Sequence, residues 1–280
     1  MTVNLAEKYE KALDQRWVKG SYTDNWINKK YNFDGVKSIN VYTVTSVAPT
    51  DYDRTDTGDR YGGMTEVQDT IATYTLTKDK SFKLAIDRGN LEEQERVKKA
   101  AEVLKLEIDE QIIPMIDKDR IATACAGAAA VDQVITASAD AYEDTLDANV
   151  LLDEDQAPVQ GRALFVTPDF YKGIKLSIEK EINASDYNDK LVGRGFVGTL
   201  DGIPVIKVPT SYFPASYKAV LIHRDALLGA RKINEARVKN DSEFISGALL
   251  LGRYIFGSFV LDAKKKGVVA IAEGETPSGE

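Results

Sequence analysis

Apolar and polar residues alternate along the first third of the chain, which is the pattern of β-strands with one buried face. A stretch rich in β-branched residues, Lys37 to Val47, predicts a first strand. Two more strands are predicted, at Ile71 to Thr77 and around Phe82, Leu84 and Ile86, and the polar KDKS between them predicts that they form a long β-hairpin. Because an isolated two-stranded ribbon is marginally stable in water, we expect a neighbour to cover its apolar side.

A helical period of three to four residues replaces this alternation after Asn90. Asn90 and Glu93 have the spacing of a capping box. The apolar periodicity then predicts a helix from about Leu91 to Ala124, roughly 50 Å long at about 1.5 Å per residue. Pro114 should bend this helix, because proline lacks the backbone donor and its ring clashes with the preceding turn.

The second half of the chain predicts a compact mixed segment. The strand RALFVTP runs into Thr167 and Pro168, which are typical of a helix start. The stretches GIPVIKVP and YKAVLIH predict strands, and Arg224 to Gly229 predicts a short helix. The last part predicts strands joined by turns, with a hairpin around Asp262 to Gly267 and with Phe244 to Leu251 as an alternative helix.

Three charged clusters are predicted to be solvated. The four aspartates from Asp51 to Asp59 are interleaved with arginines and lack the closing Glu of a calcium loop, so this loop is expected to face solvent or a partner. Asp117, Asp119 and Arg120 are expected to form a charged turn near the helix end rather than an acid–base pair. Lys264 to Lys266 are expected to be a solvated turn, with a patch for an acidic partner as the alternative.

Composition narrows the function classes. The formal net charge of -8 argues against strong non-specific binding to nucleic acid, which requires Lys and Arg to displace counterions. One cysteine and one histidine exclude an internal disulfide and a two-His zinc motif. Cys125 is expected to be a small buried group and His223 a structural histidine. The apolar runs are too short to span a membrane and the N-terminus lacks a signal pattern, so we expect intracellular folding.

The hexapeptide GRGFVG, residues 193–198, matches the G-x-G-x-x-G pattern of dinucleotide-binding folds. That pattern works only between a strand and a helix whose N-terminus holds the phosphate. Here a polar stretch precedes it, and the following TLDGIPVIKVP predicts a turn and a strand. We therefore expect the glycines to let a mobile loop turn sharply. A nucleotide-dependent enzyme that uses Gly193, Gly195 and Gly198 is the alternative.

The first 35 residues contain both tryptophans of the chain, Trp17 and Trp26. Large aromatic side chains on a terminal segment are expected to dock, because their burial contributes much of the energy of a contact. The sequence leaves open whether they dock on their own subunit or across a subunit interface.

The order of these elements resembles the major capsid proteins of tailed bacteriophages, which share the Hong Kong 97-type fold. The resemblance covers most of the chain: an arm, an extended loop with DRYG and VQDT, a spine helix beginning at NLEEQERVKK, an axial domain with ALFVTPDFYKGIK and GTLDGIPVIKVP, and peripheral strands ending in GVVAI. It implies an α+β fold with an N-terminal arm at 1–35, an extended loop at 50–87, a peripheral domain with the spine helix at 36–49, 88–140 and 230–280, and an axial domain at 141–229.

The resemblance implies a structural protein without catalytic residues, metal or cofactor. Copies would form the pentamers and hexamers of an icosahedral virion shell, assembled in the host cytoplasm without a membrane and enclosing double-stranded DNA without sequence-specific binding. Scaffolding, portal and decoration proteins are candidate partners, and GRGFVG would lie near the centre of a pentamer or hexamer. The side chains expected at subunit interfaces are Arg54, Arg60, Tyr61, Lys78, Lys80, Phe82, Arg88, Arg194, Lys264 and Lys265.

Two departures from the family pattern shape these expectations. The chain begins almost directly at the arm, so we expect a separate scaffolding protein or none. The Lys, Asn and catalytic Glu that cross-link subunits of the namesake cannot be placed here, so we expect no autocatalysis, and ladders of covalent multimers on an SDS gel would contradict this. Within the same fold, the alternative is an encapsulin shell that encloses a cargo enzyme.

Overall fold

The computed structural model describes residues 20–31, 37–64, 66–87, 100–177, 195–239 and 246–273. Eleven strands in these ranges form three sheets. The strands are β1 Ser38–Val44, β2 Asp69–Thr75, β3 Lys78–Asp87, β4 Val134–Thr136, β5 Arg162–Val166, β6 Phe196–Leu200, β7 Ile203–Lys207, β8 Tyr217–His223, β9 Leu227–Lys239, β10 Gly247–Val260 and β11 Val268–Ala272. The α-helices are α1 Ala100–Glu107, α2 Ile113–Ala129, α3 Ala141–Glu154 and α4 Pro168–Leu176.

The largest sheet has six strands in the order β4-β11-β8-β5-β7-β6 and is covered on both faces. Phe165 faces α2, where it packs with Cys125, whereas its neighbour Leu164 faces α3 and α4, where it packs with Leu152 and Ile174. Two covered faces explain why β5 and β11 are buried along their whole length, and why both are apolar throughout except for Arg162 at the start of β5. The sheet joins β4 and β11, from segments expected to be peripheral, to strands of the segment expected to be axial.

The predicted hairpin around KDKS is wrong. The three strands exist, but β2 pairs with β1, and β3 pairs with β10 in a second sheet of order β3-β10-β9. The apolar face predicted for β3 is confirmed, because Phe82, Leu84 and Ile86 alternate with exposed residues. Lys78 to Lys80 therefore lie inside a strand rather than at a hairpin tip, and the hairpin of this fold is β1–β2, joined by residues 45–68.

The spine helix contains an irregular turn directly before Pro114. A π-helical turn, Ile108–Ile112, separates α1 from α2, and the backbone N–H of Ile113 donates to the carbonyl of Ile108. Pro114 thus stands in the first turn of α2, where a missing donor costs least. The helix ends at Ala129 rather than Ala124. Its predicted start at Asn90 and Glu93 lies outside the described residues.

Of the remaining predictions of helices and hairpins, the start of α4 is confirmed and the others are wrong. The Thr167 hydroxyl accepts from the backbone N–H of Phe170, with Pro168 opening α4 as predicted. The short helix predicted at Arg224 to Gly229 is wrong, because a turn leads directly into β9 at Leu227. The hairpin predicted around Asp262 to Gly267 is also wrong, because 3-10 turns there connect two different sheets. Residues 247–251 belong to β10 and not to a helix.

Candidate assembly surface

The β1–β2 hairpin is rooted in its own subunit by one face. Tyr74 and Leu76 are buried in a cluster with Leu228 and Leu261, and half-buried residues of β1 pack against it. The backbone N–H of Asp262 donates to the Tyr74 hydroxyl at 2.9 Å, and this hydroxyl donates to the Asp262 carboxylate at 3.3 Å. Burial raises the pKa of Tyr74, so the phenol stays protonated and keeps this second bond. The root of the hairpin is therefore fixed.

The opposite face of the hairpin and its tip are uncovered. Tyr42 and Ile71 stand directly opposite each other on β1 and β2 and are 63% and 52% exposed. Eight large apolar side chains of this hairpin are exposed: Tyr42, Val44, Val47, Tyr52, Tyr61, Met64, Val67 and Ile71. A concentration of exposed large apolar side chains on one hairpin indicates an interaction site, because leaving them in water is unfavourable.

The tip is held in shape by contacts within itself. The Asp53 carboxylate accepts from the backbone N–H and the hydroxyl of Thr55 at 2.8 and 2.6 Å. These bonds lower the pKa of Asp53. The backbone N–H of Asp53 donates to the carbonyl of Arg60 at 3.1 Å, which closes the loop. The Tyr52 and Tyr61 rings meet edge to face at 5.0 Å between centroids. A shaped loop presents its side chains to a partner with less ordering entropy to lose.

Most of the residues predicted to lie at subunit interfaces are exposed, and they lie on three separate segments. Arg54, Arg60 and Tyr61 lie exposed on the hairpin tip, as a partner-facing loop requires. Lys80 is exposed on β3, and Lys264 and Lys265 are exposed on the 3-10 turns before β11. Arg88 and Arg194 lie outside the described residues.

Two of the predicted interface residues contact their own subunit instead. Lys78 forms an ion pair with Asp119 of α2. Phe82 stacks on Tyr254 of β10 with 6.2 Å between ring centroids, in a cluster that includes Ile112 of the spine helix. Their predicted place at an interface depended on KDKS being a hairpin tip. With β3 paired to β10, Phe82 is half-buried, whereas Lys78 remains exposed beside its ion pair.

Lys264 to Lys266 lie near a structural histidine, His223. The Lys266 ammonium lies 2.6 Å from the Asp155 carboxylate. Nearby, the backbone N–H of Asp225 donates to His223 Nδ1 at 3.2 Å, so His223 Nε2 carries the proton and donates to the carbonyl of Gln160 at 3.1 Å. Burial lowers the pKa of His223 and favours this neutral form. The structural role predicted for His223 is confirmed.

A buried charge cluster on α2 was not predicted. Asp117 and Arg120 are each 1% exposed, whereas the sequence indicated a solvated turn. The Asp117 carboxylate accepts from three groups of the arm, the Ser21 hydroxyl at 2.7 Å, the Tyr22 backbone N–H at 2.8 Å and the Thr23 hydroxyl at 2.6 Å. Their spacing from the apolar Ile113 and Ala124 places both charges on the buried stripe of the helix. This helical spacing is the feature of the sequence from which the burial of Asp117 and Arg120 could have been predicted.

The end of the arm docks on its own subunit. Ile27 is 1% exposed, and Asn28 bridges to Leu228 of β9. Trp26 packs half-buried against the core beneath α2. The sequence left open whether the arm docks on its own subunit or across an interface, and residues 20–31 dock on their own subunit. Trp17 lies outside the described residues.

The glycine-rich stretch does not have the surroundings of a nucleotide site. Gly195 leads directly into β6, so no helix N-terminus follows the motif. Its φ is +85°, and a Cβ there would lie 2.6 Å from the carbonyl oxygen of Lys207 and from the Tyr22 ring. Gly195 is therefore required for close packing between β6, β7 and the arm. Gly193 and Arg194 lie outside the described residues.

The chemistry-bearing residues of the described ranges are placed structurally. Cys125 is fully buried as predicted, and burial raises its pKa to about 12. Among the described residues no group of three His, Cys, Asp or Glu side chains is placed to hold a metal ion. None of the helices in those ranges is both long and apolar enough to cross a membrane.

Comparison with known proteins identifies the fold. No protein-family model and no curated protein matches the sequence. Among solved structures, the capsid structure of the cyanophage P-SCSP1u is similar with a TM-score of 0.73 and 13% identity, over 97% of this chain and 94% of that one. The mature capsid of bacteriophage PhiM1 is similar with a TM-score of 0.69 and 12% identity, over 98% of this chain and 93% of that one. The capsid of Ralstonia phage GP4 is similar with a TM-score of 0.67 and 10% identity, over 99% of this chain and 97% of that one. The α+β fold of this chain is therefore that of phage capsid chains along nearly its whole length.

Proposed function

We propose that this chain is the major capsid protein of a tailed phage, whose copies assemble into the icosahedral shell of the virion. The observation that carries the proposal is the β1–β2 hairpin, with a fixed root, a shaped tip and an exposed apolar face. A surface of this kind, on a fold otherwise found in capsid shells, suits contact with another copy of the chain.

In this proposal the hairpin lies over an adjacent subunit and buries Tyr42, Ile71 and the apolar residues of the tip. Arg54 and Arg60 accompany them and make polar contacts at the rim of the interface. Strands β5 to β8 belong to the axial domain near the centre of pentamers and hexamers, and β4 and β11 extend the same sheet from the peripheral segments. The three-stranded sheet and the spine helix form the peripheral domain. Lys264 and Lys265 are exposed on the turns that connect the three-stranded sheet to the six-stranded sheet.

The shell encloses double-stranded DNA without gripping it. A net charge of -8 disfavours adhesion to phosphates, so a DNA chain can be packed against the inner wall and released. We assign no catalytic role to the chain. Scaffolding, portal and decoration proteins are the candidate partners during assembly in the host cytoplasm.

Negative-stain electron microscopy and sedimentation velocity of the purified protein test this function. Shells, pentamers or hexamers are the expected result, and DNA in shells recovered from infected cells distinguishes a virion from an enzyme-filled compartment. Reversing Arg54 and Arg60 to Glu should leave folded subunits that do not form shells, whereas the exposed Lys172→Glu on α4 should not affect assembly. A monomer at high concentration, even with scaffolding candidates supplied, would contradict the proposal.

A further inference from the structure

A cavity of about 220 Å³ lies where the spine helix meets β10. Its lining is mainly apolar and includes Ile108, Ile112, Ile116, Tyr254 and Phe256. The π-helical turn supplies two of these residues, Ile108 and Ile112. Turns of this type recur at functional sites, because they interrupt the regular packing surface of a helix.

One polar group of this lining has no partner within the described parts of the chain. Tyr254 is only 4% exposed, and its hydroxyl makes no hydrogen bond to any described residue. Buried polar atoms are nearly always hydrogen-bonded, so an unpaired hydroxyl indicates a missing neighbour. The missing neighbour should be mostly apolar, to match the cavity, and should carry one polar hydrogen-bonding group.

The arm enters the described structure beside this cavity. Ser21 belongs to the lining, and its hydroxyl is held by Asp117 at 2.7 Å. Trp17 precedes Ser21 by four residues, a distance that extended chain covers within roughly 14 Å. An indole has a large apolar body and a single N–H donor. It therefore matches both the apolar lining of the cavity and the unpaired hydroxyl of Tyr254.

We propose that the cavity is the docking site for Trp17 of the same chain, with its indole N–H donating to the Tyr254 hydroxyl oxygen. The arm would then be fastened to the spine helix twice, by Trp17 at the π-helical turn and by Ser21 to Thr23 at Asp117. This docking is a property of the single subunit and does not depend on shell assembly.

Tryptophan fluorescence tests the proposal directly, since Trp17 and Trp26 are the chain's two tryptophans. In the full-length Trp26→Phe protein, Trp17 is the only reporter. Subunits at a concentration too low for association should show blue-shifted emission and several-fold weaker acrylamide quenching than a free tryptophan analogue. Ile108→Phe, which fills the cavity, should restore strong quenching. Leu146→Phe, on the outer side of α3, is the matched control and should change nothing.

Tyr254→Phe provides a gentler change in case Ile108→Phe disturbs folding. It keeps the ring and removes the acceptor, so Trp17 emission should shift while circular dichroism stays unchanged. Strong quenching of Trp17 in the isolated subunit would overturn the proposal, as would protection that Ile108→Phe and Tyr254→Phe both leave intact. Protection that appears only when subunits associate would also overturn it, because the occupant would then be the arm of a neighbour.

Discussion

Asp117 and Arg120 form an ion pair of 3.6 Å on α2 in which both side chains are almost completely buried. The carboxylate also accepts three hydrogen bonds from the arm, and the guanidinium donates to the Thr23 hydroxyl at 2.9 Å. Burial lowers the pKa of Arg120 to about 10, so the guanidinium remains charged at neutral pH. The pair therefore connects the arm to the spine helix through charge-assisted hydrogen bonds, which are stronger than neutral ones.

Replacing Asp117 should be costly. Asp117→Asn leaves the buried Arg120 without its fully buried counter-charge, so that only the partly exposed Asp24 remains, and places amide hydrogens among three donors from the arm. Breaking a buried ion pair from one side typically costs about 3–5 kcal/mol in the free energy of unfolding. Urea denaturation of the subunit measures this loss. The matched variant Asp147→Asn, on the exposed side of α3, should stay within about 0.5 kcal/mol of the parent. Equal stability of the two variants would contradict the role given to Asp117.

The outer face of the hairpin should matter for assembly and not for folding. Tyr42→Ser with Ile71→Thr removes an exposed cross-strand pair, which should cost no more than about 1 kcal/mol of subunit stability. Shell yield by sedimentation velocity should fall at least about tenfold, since large buried aromatics dominate interface energies. Val159→Ser, at an exposed apolar position in the loop before β5, is the control and should leave the yield unchanged. Shells in normal yield from the double variant would argue against contact through this face.

Comparing Gly195 with Gly202 distinguishes the cost of backbone strain from the cost of a steric clash when a Cβ is added. Both have positive φ, but a Cβ on Gly195 would meet Lys207 and Tyr22 at 2.6 Å, whereas one on Gly202 meets nothing within 4 Å. Gly202→Ala should cost about 1–2 kcal/mol from backbone strain alone. Gly195→Ala should cost roughly 1–3 kcal/mol more, because it also overpacks the contact with the arm. Thermal unfolding of the two variants compares them, and equal losses would rule out the close approach.

Cys125 should be unreactive in the folded subunit. The thiolate is the reactive form, and burial raises the pKa of this thiol from 9.0 to about 12, so almost no thiolate is present at pH 8. A thiol reagent at pH 8 should therefore label the native protein only as fast as it unfolds, and should label one site per chain in urea. In a Cys125→Ser background, Met64→Cys on the fully exposed tip should react at once. Rapid labelling of native Cys125 would show that α2 opens readily.

The exposed part of the candidate site could be predicted because its signals are local. Interleaved Asp, Arg and Gly residues predict a loop that faces solvent or a partner, and Arg54, Arg60 and Tyr61 are exposed there. Lys78 and Phe82 contact their own subunit because the strands of the predicted hairpin are present but pair with other strands. Alternation identifies a strand, and strand pairing depends on residues far away in sequence. Phe82 faces Gly252, where a Cβ would lie 2.2 Å from the Phe82 ring, and no local pattern indicates that match.

Most strands, the spine helix and the start of α4 at Thr167 could be predicted from the sequence, because periodicity and helix capping act over a few residues. The order of these elements was enough to predict the capsid fold. The pairing of the strands, the burial of Asp117 and Arg120 and the docking of residues 20–31 depend instead on contacts that form in the folded chain. Ser21 and Asp117 are 96 residues apart, and the burial of a carboxylate depends on donors brought to it by the fold. Long-range contacts of this kind leave almost no trace in a single sequence.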